Sequence, residues 1–189
     1  VLTSPAKATE IAEATDLAAA INGDFFDAGV TGAPLSLLIA DGRLVRSPRN
    51  DPDFASIAIS GDMGILSSWA WSGQLLGPDG LAIPIAAVNE VSVPANGAAL
   101  YTSHWSWQRN PPTNGVTCIA IRDGVVESRI AGWPRPALSS TPESPGLTYL
   151  AVRGSAATAA ASLSVGDEVE ISGQLRPDAE GIIAAFSGK

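Results

Sequence analysis

The stretch Asn22-Gly23-Asp24-Phe25-Phe26 combines the residue types of a polar binding or catalytic site within a few positions. The Asp24 carboxylate could act as a general base or stabilise a positively charged centre, and the Asn22 amide could both donate and accept hydrogen bonds. Gly23 would let a ligand approach the backbone closely, because it has no side chain. If the strand continues, Phe25 and Phe26 point to opposite faces, so one ring would fill the core while the other lines a pocket.

The same residues also fit an ordinary Asx-turn. In that interpretation the Asn22 and Asp24 side chains hydrogen-bond to nearby backbone, and both phenylalanine rings belong to the core. Composition alone favours the turn. The acid that follows, Asp27, is better explained as a turn former than as a site residue.

A second polar segment surrounds the single histidine of the chain, His104, which lies two residues after Thr102 and five before Arg109. His104 could carry protons or donate a hydrogen bond to phosphate, and Arg109 could bind an anion. The simpler alternative is a histidine in a surface loop. No sequence typical of a nucleophile elbow accompanies His104, so a Ser-His-Asp triad is not predicted.

Other residues with chemical potential have structural explanations. Three arginines at the first predicted hairpin are better explained as a solvated face than as a phosphate-binding cradle: Arg43, Arg46 and Arg49. The tryptophans Trp69 and Trp71, like Trp105 and Trp107, are spaced two apart and share a strand face. They could stack on sugar rings, but packing in the sheet core is the commoner use. Cys118 lies in an apolar strand-like run, which favours a buried small hydrophobe over a nucleophile.

Composition and charge exclude several classes of function. The chain has 189 residues, 46% of them hydrophobic, and a formal net charge of -8. This composition predicts a folded protein, and the negative charge makes nucleic acid and anionic membrane surfaces poor partners. One cysteine cannot form a disulfide within the chain, and one histidine cannot build a site of several imidazoles. The apolar runs are too short for membrane insertion.

The elements that must position these residues are mostly strands. A helix is predicted from the N-cap Ser4 and Pro5 to about Thr15-Asp16, and "SAATAAAS" could form another. Turn signals such as Asp41-Gly42 and Pro78-Asp79-Gly80 separate short strands along most of the chain. We therefore predict an α+β fold with a mixed, mostly antiparallel β-sheet and few helices.

The predicted domain organisation has three parts. Residues 1–62 would form the N-terminal part of an α/β core, 63–178 a β-rich insertion or subdomain, and 179–189 a strand that returns to the core. The last stretch, "GIIAAFSGK", is apolar enough to require neighbours on both sides. The sequence therefore predicts an incomplete domain.

The residues from Ile21 to Pro48 resemble the signature of phosphodiester glycosidases, the enzymes related to the mannose-6-phosphate uncovering enzyme, an N-acetylglucosamine-1-phosphodiester alpha-N-acetylglucosaminidase. The resemblance rests on three elements: Ile21 to Phe26, Gly32 to Pro34, and Ile39 to Pro48. Residues 87–105 are similar to a later family segment with an early Asn and a later Tyr-Thr, here Asn89, Tyr101 and Thr102. The chain lacks two later family signatures, Arg-Thr-Ala-hydrophobic-Gly and Asp-Gly-Gly-Gly-Ser, so the resemblance is to the N-terminal portion.

The resemblance implies a secreted or cell-surface hydrolase that cleaves a sugar from a sugar-1-phosphodiester, with a second polypeptide or segment carrying the C-terminal half. It implies Asp24 and Asn22 as catalytic residues. Together with the residue chemistry above, it predicts seven substrate-binding residues: Gly23, Phe25, Phe26, Tyr101, Thr102, His104 and Arg109. No metal ligand is assigned, and a divalent cation near Asp24 is left open. The alternative is a non-catalytic module that binds carbohydrate or phosphosugar.

Overall fold

The computed structural model of the chain describes residues 8–15, 26–27, 33–49, 51, 53–105, 115–133 and 146–187. These residues form an α+β fold that consists mostly of antiparallel β-structure, as predicted. The two α-helices are α1 (Ala8–Thr15) and α2 (Gly154–Ala159). The strands are β1 (Leu38–Ala40), β2 (Arg43–Arg46), β3 (Ala55–Ser60), β4 (Met63–Ser68), β5 (Ala70–Leu76), β6 (Ala82–Val88), β7 (Ala98–Tyr101), β8 (Thr117–Arg122), β9 (Val125–Ala131), β10 (Leu147–Val152), β11 (Glu170–Arg176) and β12 (Ala184–Ser187).

The predicted hairpins form where glycine and aspartate allow a left-handed backbone. At the β1–β2 turn, Asp41 has φ of +52° and Gly42 +69°, and at the β8–β9 turn Asp123 has +49° and Gly124 +81°. Positive φ at both central residues is the requirement of the tight turn whose twist matches antiparallel strands. The local sequence therefore determines these connections.

The smaller sheet has the strand order β2-β1-β12-β3-β4, and every neighbouring pair in it is antiparallel. β12 pairs with β1 through Leu38 and Phe186, and with β3 through Ala58 and Ala185. The expectation that this apolar strand needs two neighbours is confirmed, and both neighbours come from this chain. Because β12 is paired on both sides within this chain, it gives no reason to invoke a second polypeptide.

The larger sheet has the order β11-β5-β6-β7-β10-β8-β9, in which β6 and β7 are parallel and the other pairs are antiparallel. Backbone hydrogen bonds link its two edges: the amide of Val126 donates to Asp167 O at 2.9 Å, and that of Val169 donates to Gly124 O at 2.7 Å. These residues lie at or just before the starts of β9 and β11, which are the two edge strands. The sheet therefore curls so that its edges meet there.

The smaller sheet has one buried cluster and the larger sheet has two, one of which contains Tyr101, Trp105 and Cys118. The larger sheet encloses side chains such as Ile83, Ile119 and Leu150, and α2 adds Ala156. The smaller sheet packs Leu37, Ile39 and Ala185 with Trp69. Leu44 on β2 and Leu175 on β11 pack against the cluster of Ile83 and against that of the smaller sheet, so these two strands connect the sheets.

The two sheets are built from different stretches of the chain. The predicted boundary after Asp62 falls inside the β3–β4 hairpin, since β4 (Met63–Ser68) belongs to the smaller sheet. The larger sheet begins at Ala70 and ends at Arg176, and β12 then returns to the smaller sheet. Side-chain periodicity alone could not show to which sheet β4 belongs, because most of its residues are exposed.

Candidate functional site

Several predicted site residues lie outside the described part of the chain: Asn22, Gly23, Asp24, Phe25 and Arg109. Phe26 is described, forms an antiparallel bridge with Pro34, and has 42% of its surface exposed. Its ring is therefore at the surface rather than in the core. The remaining predicted residues, Tyr101, Thr102 and His104, lie at and just after the end of β7.

The end of β7 lies beside a junction between the two sheets. The backbone after β2 hydrogen-bonds to the end of β6: the amide of Ser47 donates to Val88 O at 3.2 Å, and the amide of Val88 donates to Ser47 Oγ at 2.9 Å. These contacts hold the smaller sheet against the larger one at a fixed register. We call the polar residues at this place the junction cluster: Arg46, Asn89, Glu90, Tyr101, Thr102 and His104.

Asn89 is the centre of the junction cluster. It is wholly buried and has φ of +52°, a conformation that asparagine tolerates better than most residues. Its Nδ2 donates to Val45 O at 2.6 Å and to Thr102 Oγ1 at 2.8 Å, while its Oδ1 accepts from the amide of Thr102 at 2.9 Å. One amide group thus joins β2 to the end of β7 and fixes the orientation of the Thr102 hydroxyl.

Arg46 and Glu90 form an ion pair in this cluster. Arg46 Nη2 donates to Glu90 Oε1, which also accepts from the amide of Val91 at 2.7 Å. The Arg46 side chain is wholly buried, whereas the Glu90 side chain retains 24% exposure. The result is a carboxylate that is held in place from inside and still reaches the surface.

The expectation of a solvated arginine face is wrong for Arg46. Arg43 and Arg49 are exposed as predicted, and the Arg49 guanidinium lies 5.3 Å from the centroid of the Phe54 ring. A spacing of three residues along a strand places Arg43 and Arg46 on opposite faces. This spacing could have shown that one of the two arginines is buried. Which of them is buried depends on the face of β2 that packs against the larger sheet.

Tyr101 supports the cluster from the core. It is wholly buried, and its hydroxyl donates to Glu90 O at 2.9 Å. Burial raises the pKa of Tyr101 far above its ordinary value, and the nearby Glu90 carboxylate adds to this effect. Its ring makes edge-to-face contacts with Trp105 and Trp133. Tyr101 has no exposed surface for a substrate, so its role here is to position Glu90.

Thr102 and His104 are both half-buried, so part of each reaches solvent. The amide of His104 donates to Thr102 Oγ1 at 3.3 Å. Burial lowers the pKa of His104 below its ordinary value, and the positive charge of Arg43 lowers it further. The imidazole is therefore neutral at pH 7, a state in which it can accept a proton.

The other predicted residues with chemical potential lie in the core. Trp69, Trp71 and Trp105 are 3%, 7% and 2% exposed, so these described tryptophans cannot stack on a sugar. Cys118 is wholly buried, and burial raises its pKa to about 12, which confirms the small-hydrophobe interpretation. Within the described ranges, no group of three or more His, Cys, Asp or Glu residues is arranged to hold a metal ion.

Neither a scan against protein-family models nor a search of the curated proteins found a match. The solved structures that are similar in fold include two proteins of larger size. One is a hypothetical protein from Synechocystis, with a TM-score of 0.75 and 17% identity over 96% of this chain. The other is a Burkholderia pseudomallei K96243 protein whose name describes it as exported, with a TM-score of 0.62 and 18% identity over 89% of this chain.

The chain corresponds to only part of each similar structure. It spans 33% of the Synechocystis protein and 40% of the Burkholderia protein. In the described part of this chain, neither helix has the length and apolar character needed to cross a membrane. At these identities the similarity establishes a shared fold, which the chain has in common with a segment of larger proteins.

Proposed function

We propose that the chain is one portion of a hydrolase that cleaves a sugar from a sugar-1-phosphodiester. The resemblance of residues 21–48 to phosphodiester glycosidases suggests this reaction, with Asp24 and Asn22 as the catalytic residues. The observation that supports it most directly is the Arg46–Glu90 pair, because a fixed and partly exposed carboxylate is the group that glycoside hydrolysis requires.

The chemistry of this substrate class suits the junction cluster. Phosphate is a good leaving group, so the site has less need of a strong acid than of stabilising positive charge at the anomeric carbon and placing a water molecule. The Glu90 carboxylate can stabilise the positive charge at the anomeric carbon, and Arg46 is the residue that positions it. The neutral imidazole of His104 can accept a proton from water, and the Thr102 hydroxyl can bind a sugar hydroxyl.

The proposal assigns the remaining predicted residues to the substrate. Gly23, Phe25, Phe26 and Arg109 would surround the sugar and its phosphate, with Arg109 as the cation that binds the phosphate. A location outside the cell or at its surface fits this proposal, and the Burkholderia protein of similar fold, whose name describes it as exported, supports it.

Release of free N-acetylglucosamine from UDP-N-acetylglucosamine tests the proposal, measured with the 189-residue chain and with the complete product of its gene. We expect Asp24→Asn to lower kcat by about 100-fold or more, the usual contribution of a positioned acid or base. Asp27→Asn is the matched control, because the same chemical change falls on the neighbouring predicted turn former. Activity that survives Asp24→Asn would remove Asp24 from the mechanism.

Glu90→Gln in the same assay tests the junction cluster. We expect kcat to fall by about 100-fold, because the variant keeps the shape of the side chain and loses its charge. Glu127→Gln is the control, since Glu127 forms an exposed ion pair with Arg122 on the β8–β9 hairpin. Equal activity of both variants would exclude Glu90 from catalysis.

The binding-module alternative is distinguished by calorimetry. If the complete gene product releases no sugar but binds glucose 1-phosphate with measurable heat, the protein is a phosphosugar-binding module and the hydrolase proposal is wrong. The burial of Trp69, Trp71 and Trp105 removes the aromatic stacking that these three residues were expected to offer such a module.

A further inference from the structure

A four-residue sequence occurs twice in the chain, as Ser72-Gly73-Gln74-Leu75 and as Ser172-Gly173-Gln174-Leu175. The first copy lies on β5 and the second on β11, and the two strands pair in antiparallel register with the glycines opposite each other. Ser72 is therefore opposite Gln174, and Gln74 is opposite Ser172. The repeated sequence thus pairs with itself about a local twofold axis.

Packing on the buried side of the β5–β11 pair explains why glycine occupies both central positions. The indole of Trp71 lies across both of them: a Cβ atom at Gly73 would meet Trp71 Cζ2 at 2.7 Å, and one at Gly173 would meet the same atom at 2.6 Å. Trp71 and Leu75 belong to the buried cluster of the larger sheet. Packing therefore requires the glycines but says nothing about the serines and glutamines, which alternate to the other face.

The outer face carries four exposed polar side chains, which we call the Ser/Gln quartet: Ser72, Gln74, Ser172 and Gln174. They and the two glycines line an open concavity of about 430 Å³. The depression is open to solvent, so a ligand bound there would lie along the surface of the two strands. Within the described part of the chain, none of the four side chains makes a hydrogen bond, so their donors and acceptors are available to a ligand.

The chemistry of the quartet selects an uncharged ligand with many hydroxyl groups. Serine and glutamine side chains each donate and accept hydrogen bonds, and neither carries charge. Next along β11 on the same face lie Glu170 on one side and Arg176 on the other, whose opposite charges favour neither anion nor cation. The two Ser–Gln pairs are two residues apart along the strands, a distance of about 7 Å.

From this arrangement we propose that the Ser/Gln quartet binds a neutral oligosaccharide, with each Ser–Gln pair hydrogen-bonded to the hydroxyls of one sugar unit. The site is separate from the junction cluster and does not rest on the proposed hydrolysis. The local twofold axis relates the two Ser–Gln pairs to each other, so loss of either glutamine should weaken binding by a similar factor.

The proposal is tested by ¹⁵N–¹H NMR titration of the 189-residue chain with maltohexaose and with cellohexaose. We expect at least one glucan to shift the amides of 72–74 and 172–174. Gln74→Ala and Gln174→Ala should each raise Kd by a similar factor, about three- to tenfold, because each removes equivalent hydrogen bonds. Ser72→Ala and Ser172→Ala form a second, independent pair. Ser128→Ala, a hydroxyl loss on β9 of the same sheet, is the control and should leave Kd unchanged.

Three outcomes would overturn the proposal. One is that neither glucan shifts these amides, and another is that the quartet variants bind as tightly as the unaltered chain. The third is that sedimentation velocity shows self-association that Gln74→Ala and Gln174→Ala abolish, which would make the quartet a contact between copies of this chain. The dispersion of the same NMR spectra shows whether each variant is folded. Loss of hydrolysis in Asp24→Asn with retained glucan binding separates this site from the proposed active site.

Discussion

At the residue scale, the junction cluster depends on side chains that hold one another rather than on a single reactive group. Asn89 fixes Thr102, Arg46 fixes the Glu90 carboxylate, and Tyr101 fixes the Glu90 backbone. Each contact joins residues that lie on different strands or loops. The exposed parts of Glu90, Thr102 and His104 are therefore presented by a rigid support, which is the condition for a precise binding or catalytic site.

His104 provides a pH-dependent test at this scale. Because burial and the charge of Arg43 lower its pKa in the folded chain, the unfolded chain binds more protons as the pH falls through the ordinary value of 6.5. The free energy of unfolding should therefore decrease from pH 7 downward until the folded pKa is passed. His104→Asn should show less of this decrease than the unaltered chain, as measured by urea denaturation at several pH values.

The pKa of His104 can also be measured directly, because His104 is the single histidine of the chain and its ring signals need no assignment. Its ring proton should titrate in ¹H NMR with a pKa below 6.5, and Arg43→Ala should move that pKa upward. A pKa at or above 6.5 in the unaltered chain would contradict the prediction that burial and Arg43 lower it.

At the element scale, the β5–β11 pair depends on the absence of side chains at its centre. A Cβ atom at Gly173 would lie 2.6 Å from Trp71 Cζ2, and one at Gly73 would lie 2.8 Å from Ser172 O. Both distances are shorter than van der Waals contact. The strands can pair at this separation only because glycine occupies both positions and the indole fills the space inside them.

Gly73→Ala should therefore destabilise the protein by about 1–3 kcal/mol, the usual cost of overpacking a buried site. Gly64→Ala on β4 is the matched control, since no atom lies within 4 Å of a Cβ at that position. It should be neutral or slightly stabilising, because alanine has fewer unfolded conformations than glycine. The urea midpoints of the two variants decide the question, and equal midpoints would show that the indole moves aside without cost.

At the scale of the whole molecule, the chain closes its smaller sheet with residues that are far apart in sequence. β12 lies between β1 and β3, so the described strands nearest the two ends of the chain are hydrogen-bonded to each other. The larger sheet is inserted between β4 and β12 and is attached to the smaller one through the contacts of β2 with β6. The junction cluster forms where these two units meet.

Hydrogen exchange tests this arrangement. The amides of β12 should exchange more slowly than those of β4, because β12 is paired on both sides whereas β4 is at the edge of the sheet. Exchange monitored by NMR at 184–187 and 63–68 would give the comparison. Faster exchange in β12 than in β4 would mean that β12 is not held between two strands.

The sequence by itself determined most of the local structure. Asp41-Gly42 and the later turn signals identified the hairpins, the alternation of apolar residues identified the strands, and the helix-forming run before Asp16 identified α1. Cys118, Trp69, Trp71 and Trp105 lie in the core, as the sequence favoured. These features depend on backbone conformation and burial within a few residues, which local composition controls.

Only the tertiary structure decided which strands meet and which polar residues are brought together. The burial of Arg46, its pairing with Glu90, and the self-pairing of the repeated Ser-Gly-Gln-Leu sequence all join residues that are distant along the chain. Strand pairing is set by the packing of whole sheets, and a strand has the same local pattern whichever neighbour it finds. For that reason the sequence could predict a polar segment at Tyr101–His104, but not the carboxylate and guanidinium that complete it.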